Sequence, residues 1–276
     1  MKLAIIGLGN MGRAILSGIL KQNIIMAKNI IAADKKFSDS DFKVEDQFSE
    51  ITTTADNQKA AGEADYIILA VKPQIIKFVL EDIKNDTDSK VIISIAAGVK
   101  TDLLSQYFGS KSKLVRVMPN TPALVGEGMS ALYYSAQVEA DEKAFVEKIF
   151  KALGETAEVK ETEMDAVTGL SGSGPAFVYL FIEALSDAGV LTGLDRQTAL
   201  KLAAQTVKGG AEMVLNSGKH PAQLKDMVAS PAGTTIAGIA ELENNAFRSG
   251  VIKAVKKAAE RSERSEERRV GKECTL

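Results

Sequence analysis

The stretch that most restricts what this chain can become lies at its start. An apolar run, Lys2–Gly7, passes directly into Gly7-Leu8-Gly9-Asn10-Met11-Gly12, and apolar residues then recur at helical spacing over Asn10–Gln22. Strand, glycine turn and helix in that order carry a mechanism. Gly7 permits the tight turn, Gly9 lets backbone approach a pyrophosphate, and Gly12 lets helix and strand pack closely. The helix start adds unpaired N–H groups and the positive end of the helix dipole. The same spacing also occurs in a mere tight turn. In strand–turn–helix context it predicts a dinucleotide held by Gly7, Leu8, Gly9, Asn10, Met11 and Gly12.

At roughly 150 residues per domain, 276 residues make about two domains. Short, continuously apolar runs follow at Asn29–Ala33, Tyr66–Val71, Lys90–Ile95, Leu114–Met118 and Met129–Tyr134, and Asp141–Leu153 is a helical pattern ahead of Thr156–Val159. Strands that are apolar throughout belong to a parallel sheet covered on both faces. The expectation for residues 1–160 is therefore an α/β domain with a Rossmann-type doubly wound sheet.

From about Thr162 the strand pattern stops. Pro175 opens an apolar helix toward Ala188, and Asp195 caps another that runs to about Asn216 and stops at Gly218. Pro221 suits a first helical turn, and Thr234–Asn244 and Ala246–Arg264 complete an all-helical domain over 161–262. Its broad apolar faces, rich in small residues such as Ala199, Ala203 and Ala204, point to completion by a second copy of the chain. Glu260 to Glu273 is mostly charged, with Cys274 just beyond it, and residues 263–276 close the sequence. They read as a disordered helix end or a non-native tail, outside the functional argument.

Composition removes several functions. Lys and Arg number 34 against 36 Asp and Glu, so no basic excess exists to hold a nucleic-acid backbone. One Cys and one His exclude an internal disulfide framework and most imidazole-built metal sites, and no metal is expected. His220, before Pro221, reads as a loop or cap residue. Leu3–Leu8 is too short for a secretion signal, and Pro175–Leu185 stops short of the ~20 residues of a spanning helix. No membrane partner is expected, and a cytoplasmic location follows.

Other strand ends point toward the same crevice. Asp34 closes the second strand about 20 residues after Gly12, where an acidic residue accepts from ribose hydroxyls. That favours NADH, whereas the adjacent Lys35 and Lys36 suit the 2′-phosphate of NADPH, so the cofactor is NADPH or NADH with the preference open. Ala70-Val71-Lys72-Pro73, Ala96-Ala97-Gly98 and Met118-Pro119-Asn120-Thr121-Pro122 follow later strands, and carboxyl ends of parallel strands face the ligand. In the helical half, Gly169–Pro175 and Ser230-Pro231-Ala232-Gly233-Thr234-Thr235 stand out. Hydroxyls and free N–H groups at a helix start suit a small carboxylate, although Ser and Thr are also ordinary helix caps.

Taken together, IGLGNMG ending at Gly12, AVKP at 70–73, SIAAGV at 94–99, MPNTPA at 118–123, GLSGSGPA at 169–176 and LKDMVASPAGTT at 224–235 resemble the 1-pyrroline-5-carboxylate reductase family. The resemblance runs to about Ser262. It implies a Rossmann domain, a helical domain interlocked with a partner subunit, and NAD(P)H-dependent reduction of a cyclic imine to L-proline, the last step of proline synthesis. It further implies that Asn57 contacts the adenosine side, and that Ala70, Val71, Lys72, Pro73 and Ala97 lie along ribose and nicotinamide. Ser230, Thr234 and Thr235 would hold the substrate carboxylate, with Thr235 nearest the ring nitrogen and so the catalytic candidate.

Two positions depart from the family pattern. Asp34 stands where a small polar residue is frequent. Ala232 replaces a common glycine, which is tolerable if its backbone is not left-handed. A β-hydroxyacid-type dehydrogenase is the rival enzyme, but its buried lysine has no counterpart in Gly172–Glu183. A non-catalytic dinucleotide sensor signalling through its helices is the rival outside enzymes.

Overall fold

Branched aliphatic side chains pack well on a pleated surface, and the runs of them become strands. In the computed structural model, residues 1–39, 48–85, 87 and 89–271 are described. The first half alternates β1 (Leu3–Ile6), α1 (Asn10–Lys21), β2 (Ile30–Ala33), β3 (Thr52–Thr54), α2 (Asn57–Glu63), β4 (Tyr66–Leu69) and α3 (Ile76–Ile83). It continues through β5 (Val91–Ser94), α4 (Thr101–Phe108), β6 (Lys113–Pro119), β7 (Gly128–Tyr134), α5 (Ala140–Lys151) and β8 (Gly154–Glu158).

The eight strands form one sheet in the order β3-β2-β1-β4-β5-β6-β7-β8. Leu3 is in register with Ile30 on one side and Tyr66 on the other, so the chain winds outward in both directions from β1. Alternate residues serve opposite faces. Leu3, Ile5, Ile68 and Ile93 pack with Ile15, Leu16 and Ile19 of α1 and with Ile149 and Phe150 of α5. Ala4, Ile6, Ile67 and Ile92 pack instead with α2, α3 and α4 through Ala60, Ala61, Val79, Leu80 and Leu104.

Two features differ from the sequence expectation. The edge strand β3 is three threonines with no apolar run, paired to β2 alone and partly exposed. Strand β7 runs antiparallel to β6. Their connection is a short 3₁₀ turn, Thr121–Val125, closed by Gly126 at φ +79°, and a connection that short cannot make a parallel crossover.

The second half is α6 (Met164–Val167), one π-helical turn at Thr168–Gly172, α7 (Gly174–Leu191), α8 (Arg196–Ser217), α9 (Pro221–Met227), α10 (Thr234–Asn244) and α11 (Phe247–Gly271). Local chemistry sets these ends. The Asp195 carboxylate accepts from Thr198 N–H at 3.0 Å, and Gly218 ends α8 at φ +65°. His220 caps α9, its Nδ1 accepting from Ala222 N–H at 3.2 Å while its own N–H donates to Gln223. Helix α11 continues without a break through 263–271, so the charge run extends the helix there instead of ending it. Cys274 and the rest of that tail lie outside the described residues.

The chain divides into two compact units, Met1–Gly172 with the residues from Ala258 onward, and Ser173–Lys257. The second keeps little of its apolar surface from water. On α7 only Ser186 is buried, and on α8 only Ala199 and Ala203, whereas Tyr179, Leu180, Leu200, Leu202, Met213 and Leu215 are exposed. By length and composition alone, Glu161–Leu191 is apolar enough to cross a membrane.

A partly buried ion pair anchors the segment after β8. Glu161 Oε1 accepts from Arg116 Nη1 and from Thr101 N–H, each at 2.8 Å, and Oε2 accepts from the Thr101 hydroxyl at 2.6 Å. Burial pushes the Glu161 carboxyl up, but the Thr101 and Arg116 hydrogen bonds outweigh it and hold the group below its ordinary 4.5. A carboxyl depressed in the folded state stabilises fully above its unfolded value and loses that contribution as pH falls through the folded one. Glu161→Gln should therefore lower the unfolding free energy at neutral pH by about 1.5–3 kcal/mol. In urea titrations this gap should narrow as the pH drops below 4.5. A gap absent at neutral pH, or unchanged in acid, would contradict the clamp.

Candidate active site

The carboxyl ends of β1, β4, β5 and β6 enclose a crevice of about 560 Å³, lined by Gly9, Asn10, Met11, Ala70 to Pro73, Ile95 to Ala97, Met118 and Pro119. It lies beside the β1/β4 junction, where the winding direction reverses, the usual ligand position in open α/β sheets. The walls are small or apolar, with Lys72 the one charged lining residue.

The glycine turn is built for close approach. Gly7 sits at φ +99°, and a Cβ there would lie 2.7 Å from the Ala70 carbonyl oxygen. A Cβ on Gly12 would lie 2.1 Å from the Gly7 carbonyl oxygen. No side chain fits at either place. Gly9 is the opposite case: nothing lies within 4 Å of its would-be Cβ, and it heads α1 with no side chain capping the N–H groups. The protein itself tolerates a side chain at Gly9. The space is open, and a pyrophosphate would fit this cradle and the helix start behind it.

The structure brings together most of the predicted first-domain residues. Gly9, Asn10, Met11, Ala70, Val71, Lys72, Pro73 and Ala97 line the crevice, while Gly7 and Leu8 lie in the turn before α1 and Gly12 in the first turn of that helix. Asp34 and Asn57 do not line it. Asp34 lies beside the turn, its Oδ2 accepting from Leu8 N–H at 2.8 Å and its Oδ1 from Lys36 N–H at 3.1 Å. Asn57 opens α2 and donates to Asp82 at 3.1 Å.

Met118 and Asn120 carry more than their motif reveals. The Asn120 amide donates to the Ser171 carbonyl and hydroxyl oxygens, both at 3.3 Å, while its own carbonyl accepts from Met129 N–H at 2.9 Å. The Met118 methyl lies 2.7 Å from where a Gly172 Cβ would stand. Together they hold the π turn against the crevice wall. A π turn depends on backbone winding that no residue pattern in this sequence announces.

In the second unit, Ser230, Thr234 and Thr235 flank the start of one helix. Gly233 is the N-cap of α10, with Thr234 and Thr235 as its first two residues and no side chain bonded to the cap. A Cβ on Gly233 would lie 2.2 Å from Ser230 Oγ, so the serine hydroxyl is pressed against the helix start. The backbone at Ala232 is left-handed, with φ +53°, contrary to what an alanine tolerates well. An alanine there stores roughly 1–2 kcal/mol of strain that a glycine would avoid. The turn keeps that shape because Gly233 N–H bonds back to the Ser230 carbonyl at 3.1 Å.

A doubly wound sheet with a glycine cradle at its switch point, followed by a helical unit, defines a dinucleotide-dependent oxidoreductase. Comparison with known proteins narrows the class. Residues 161–265 match the family described as pyrroline-5-carboxylate reductase dimerisation, and residues 2–98 match NADP oxidoreductase coenzyme F420-dependent. The pyrroline-5-carboxylate reductase of Synechocystis sp. is 44% identical over 263 residues, covering 95% of this chain and 97% of its own. The Plasmodium falciparum pyrroline carboxylate reductase, solved with NADP bound, is 42% identical with a TM-score of 0.84, covering 95% of this chain and 97% of that one. The Coxiella burnetii pyrroline-5-carboxylate reductase aligns with a TM-score of 0.89 at 37% identity, over 95% of this chain and 97% of its own. The chain belongs to the pyrroline-5-carboxylate reductase family.

The open space at Gly9 yields a test of the cradle. Gly9→Val should fold with wild-type thermal stability yet bind NAD(P)H at least about tenfold more weakly, a loss of ~1.4 kcal/mol. Gly12→Ala, by contrast, should lose stability, because its methyl meets the Gly7 carbonyl. Calorimetric titration of folded Gly9→Val with wild-type affinity would remove the pyrophosphate from this turn.

Proposed function

We propose that this chain reduces 1-pyrroline-5-carboxylate to L-proline with NAD(P)H, the last step of proline biosynthesis. In this reading residues 1–160 carry the cofactor, and residues 161–262 carry the substrate site and self-association. The observation that carries the substrate assignment is the start of α10, where the Ser230 hydroxyl is pressed against Gly233 ahead of Thr234 and Thr235. A proline-like carboxylate is small enough for that ring of hydroxyls and N–H groups.

Bound NAD(P)H supplies the hydride. Gly7 to Gly12 hold the pyrophosphate, Asn57 the adenosine side, and Ala70, Val71, Lys72, Pro73 and Ala97 flank ribose and nicotinamide. Ser230, Thr234 and Thr235 hold the substrate carboxylate, and Thr235 steers the ring nitrogen. Hydride adds to C5 and one proton to that nitrogen, giving the secondary amine of proline. An imine nitrogen is far more basic than a ketone oxygen, so solvent or the Thr235 hydroxyl suffices as proton source. That is why Gly172–Glu183 functions without a lysine. Positioning of the two reactants does most of the catalytic work.

The exposed apolar helices need a cover, and a second copy of the chain provides it. The match of 161–265 to a dimerisation family favours a partner subunit over a bilayer for the apolar stretch Glu161–Leu191. The assembly is an interlocked homodimer acting in the cytoplasm. A stable, active monomer at micromolar concentration in sedimentation would contradict it.

Steady-state kinetics on Thr235→Ala and Ser230→Ala test the substrate site. Losing one charged hydrogen bond of about 1.5–3 kcal/mol should raise KM for the imine roughly ten- to hundredfold. In Thr235→Ala kcat should fall as well, because a contact that guides the imine proton strengthens in the transition state. KM for NAD(P)H should hardly move. Wild-type constants for the imine in both variants would place the substrate elsewhere.

A further inference from the structure

We propose that Asp34 makes this chain select NADH over NADPH; the inference rests on the reading that the crevice at the β1/β4 junction holds a nicotinamide dinucleotide. The sequence leaves the choice open between one carboxylate and two lysines. The structure treats them differently.

Asp34 is pinned from several directions. Ala33 pairs with Ile6 across β1 and β2, and its carbonyl accepts from Gly7 N–H at 2.7 Å, so Asp34 is brought level with the glycine turn. Its own N–H donates to the Thr54 carbonyl at 3.1 Å on the other side. The carboxylate then accepts from Leu8 N–H at 2.8 Å and from Lys36 N–H at 3.1 Å. Rotating it away would strip Leu8, which is buried, of its acceptor.

A carboxylate offers about four lone-pair positions. The two amides take one on each oxygen, so each oxygen keeps another for a ribose hydroxyl. A 2′-hydroxyl donates to such an oxygen. A 2′-phosphate brings only acceptors and negative charge against an anion that cannot move. Lys35 and Lys36 offset little of this repulsion, because both are exposed and their charges are screened by water. Among the described residues Arg13 is another cation close to the turn, and it donates from Nε to the Leu8 carbonyl at 3.1 Å.

The test separates binding from turnover. Calorimetry on the full chain, with ADP-ribose and its 2′-phosphorylated counterpart as probes, should show the unphosphorylated form binding at least about tenfold more tightly. Asp34→Asn keeps an acceptor for Leu8 N–H and removes the charge, so it should shift this ratio toward the phosphorylated probe by roughly ten- to hundredfold. The NADH to NADPH ratio of kcat/KM should move with it. Replacing Lys35 and Lys36 together by alanine should leave the ratio nearly unchanged. Wild-type protein favouring the phosphorylated probe, or a ratio unmoved in Asp34→Asn, would overturn the proposal, and the first comparison needs no variant to fold. Selective binding without imine reduction would sink the reductase reading and leave this one standing. Binding of neither probe would overturn both.

Discussion

Everything in the first unit depends on how closely α1 approaches the end of β1. With a methyl group on Gly12 only 2.1 Å from the Gly7 carbonyl oxygen, the contact admits hydrogen and nothing larger. That approach seats Ile15, Leu16 and Ile19 on the sheet and leaves the start of the helix facing the crevice. Strands β2 and β4 flank β1 in register, so the turns after β1 and β4 open side by side. The open crevice is a consequence of this packing: Gly7 and Gly12 let the helix close down, and Gly9 between them leaves space at the helix start.

The two units use apolar residues in opposite ways. The sheet buries all four residues of β1, β2, β4 and β5, and its stability is internal. The helical unit leaves most of its large apolar side chains in water, a patch too extensive for an isolated monomer. Its match to a dimerisation family implies a homo-oligomer, in keeping with that exposed surface.

Much of this was legible in the sequence because the governing chemistry is local. Continuous apolar runs mark the buried strands, Asp195 and Gly218 mark the ends of α8, and Thr234–Asn244 coincides with α10. The glycine turn and the helix start behind Ser230 were readable for the same reason. What escaped depends on partners distant in sequence or on backbone shape. Strand β3 exists through pairing with β2, and three threonines alone give no such sign. The reversed direction of β7 follows from a short turn, and its residues would look the same in a parallel strand. Asn57 gives its amide to Asp82 across two helices. The left-handed backbone at Ala232 runs against the residue's own preference, so the turn around it decides.

The central claim is that a glycine cradle and a hydroxyl-lined helix start on one chain make an imine reductase. The most direct test gives the purified protein 1-pyrroline-5-carboxylate and NAD(P)H deuterated at the transferable position, then analyses the product by mass spectrometry and NMR. The account predicts one L-proline for each NAD(P)H oxidised, with deuterium on C5. Oxidation without proline, proline without deuterium at C5, or no oxidation at all would contradict it.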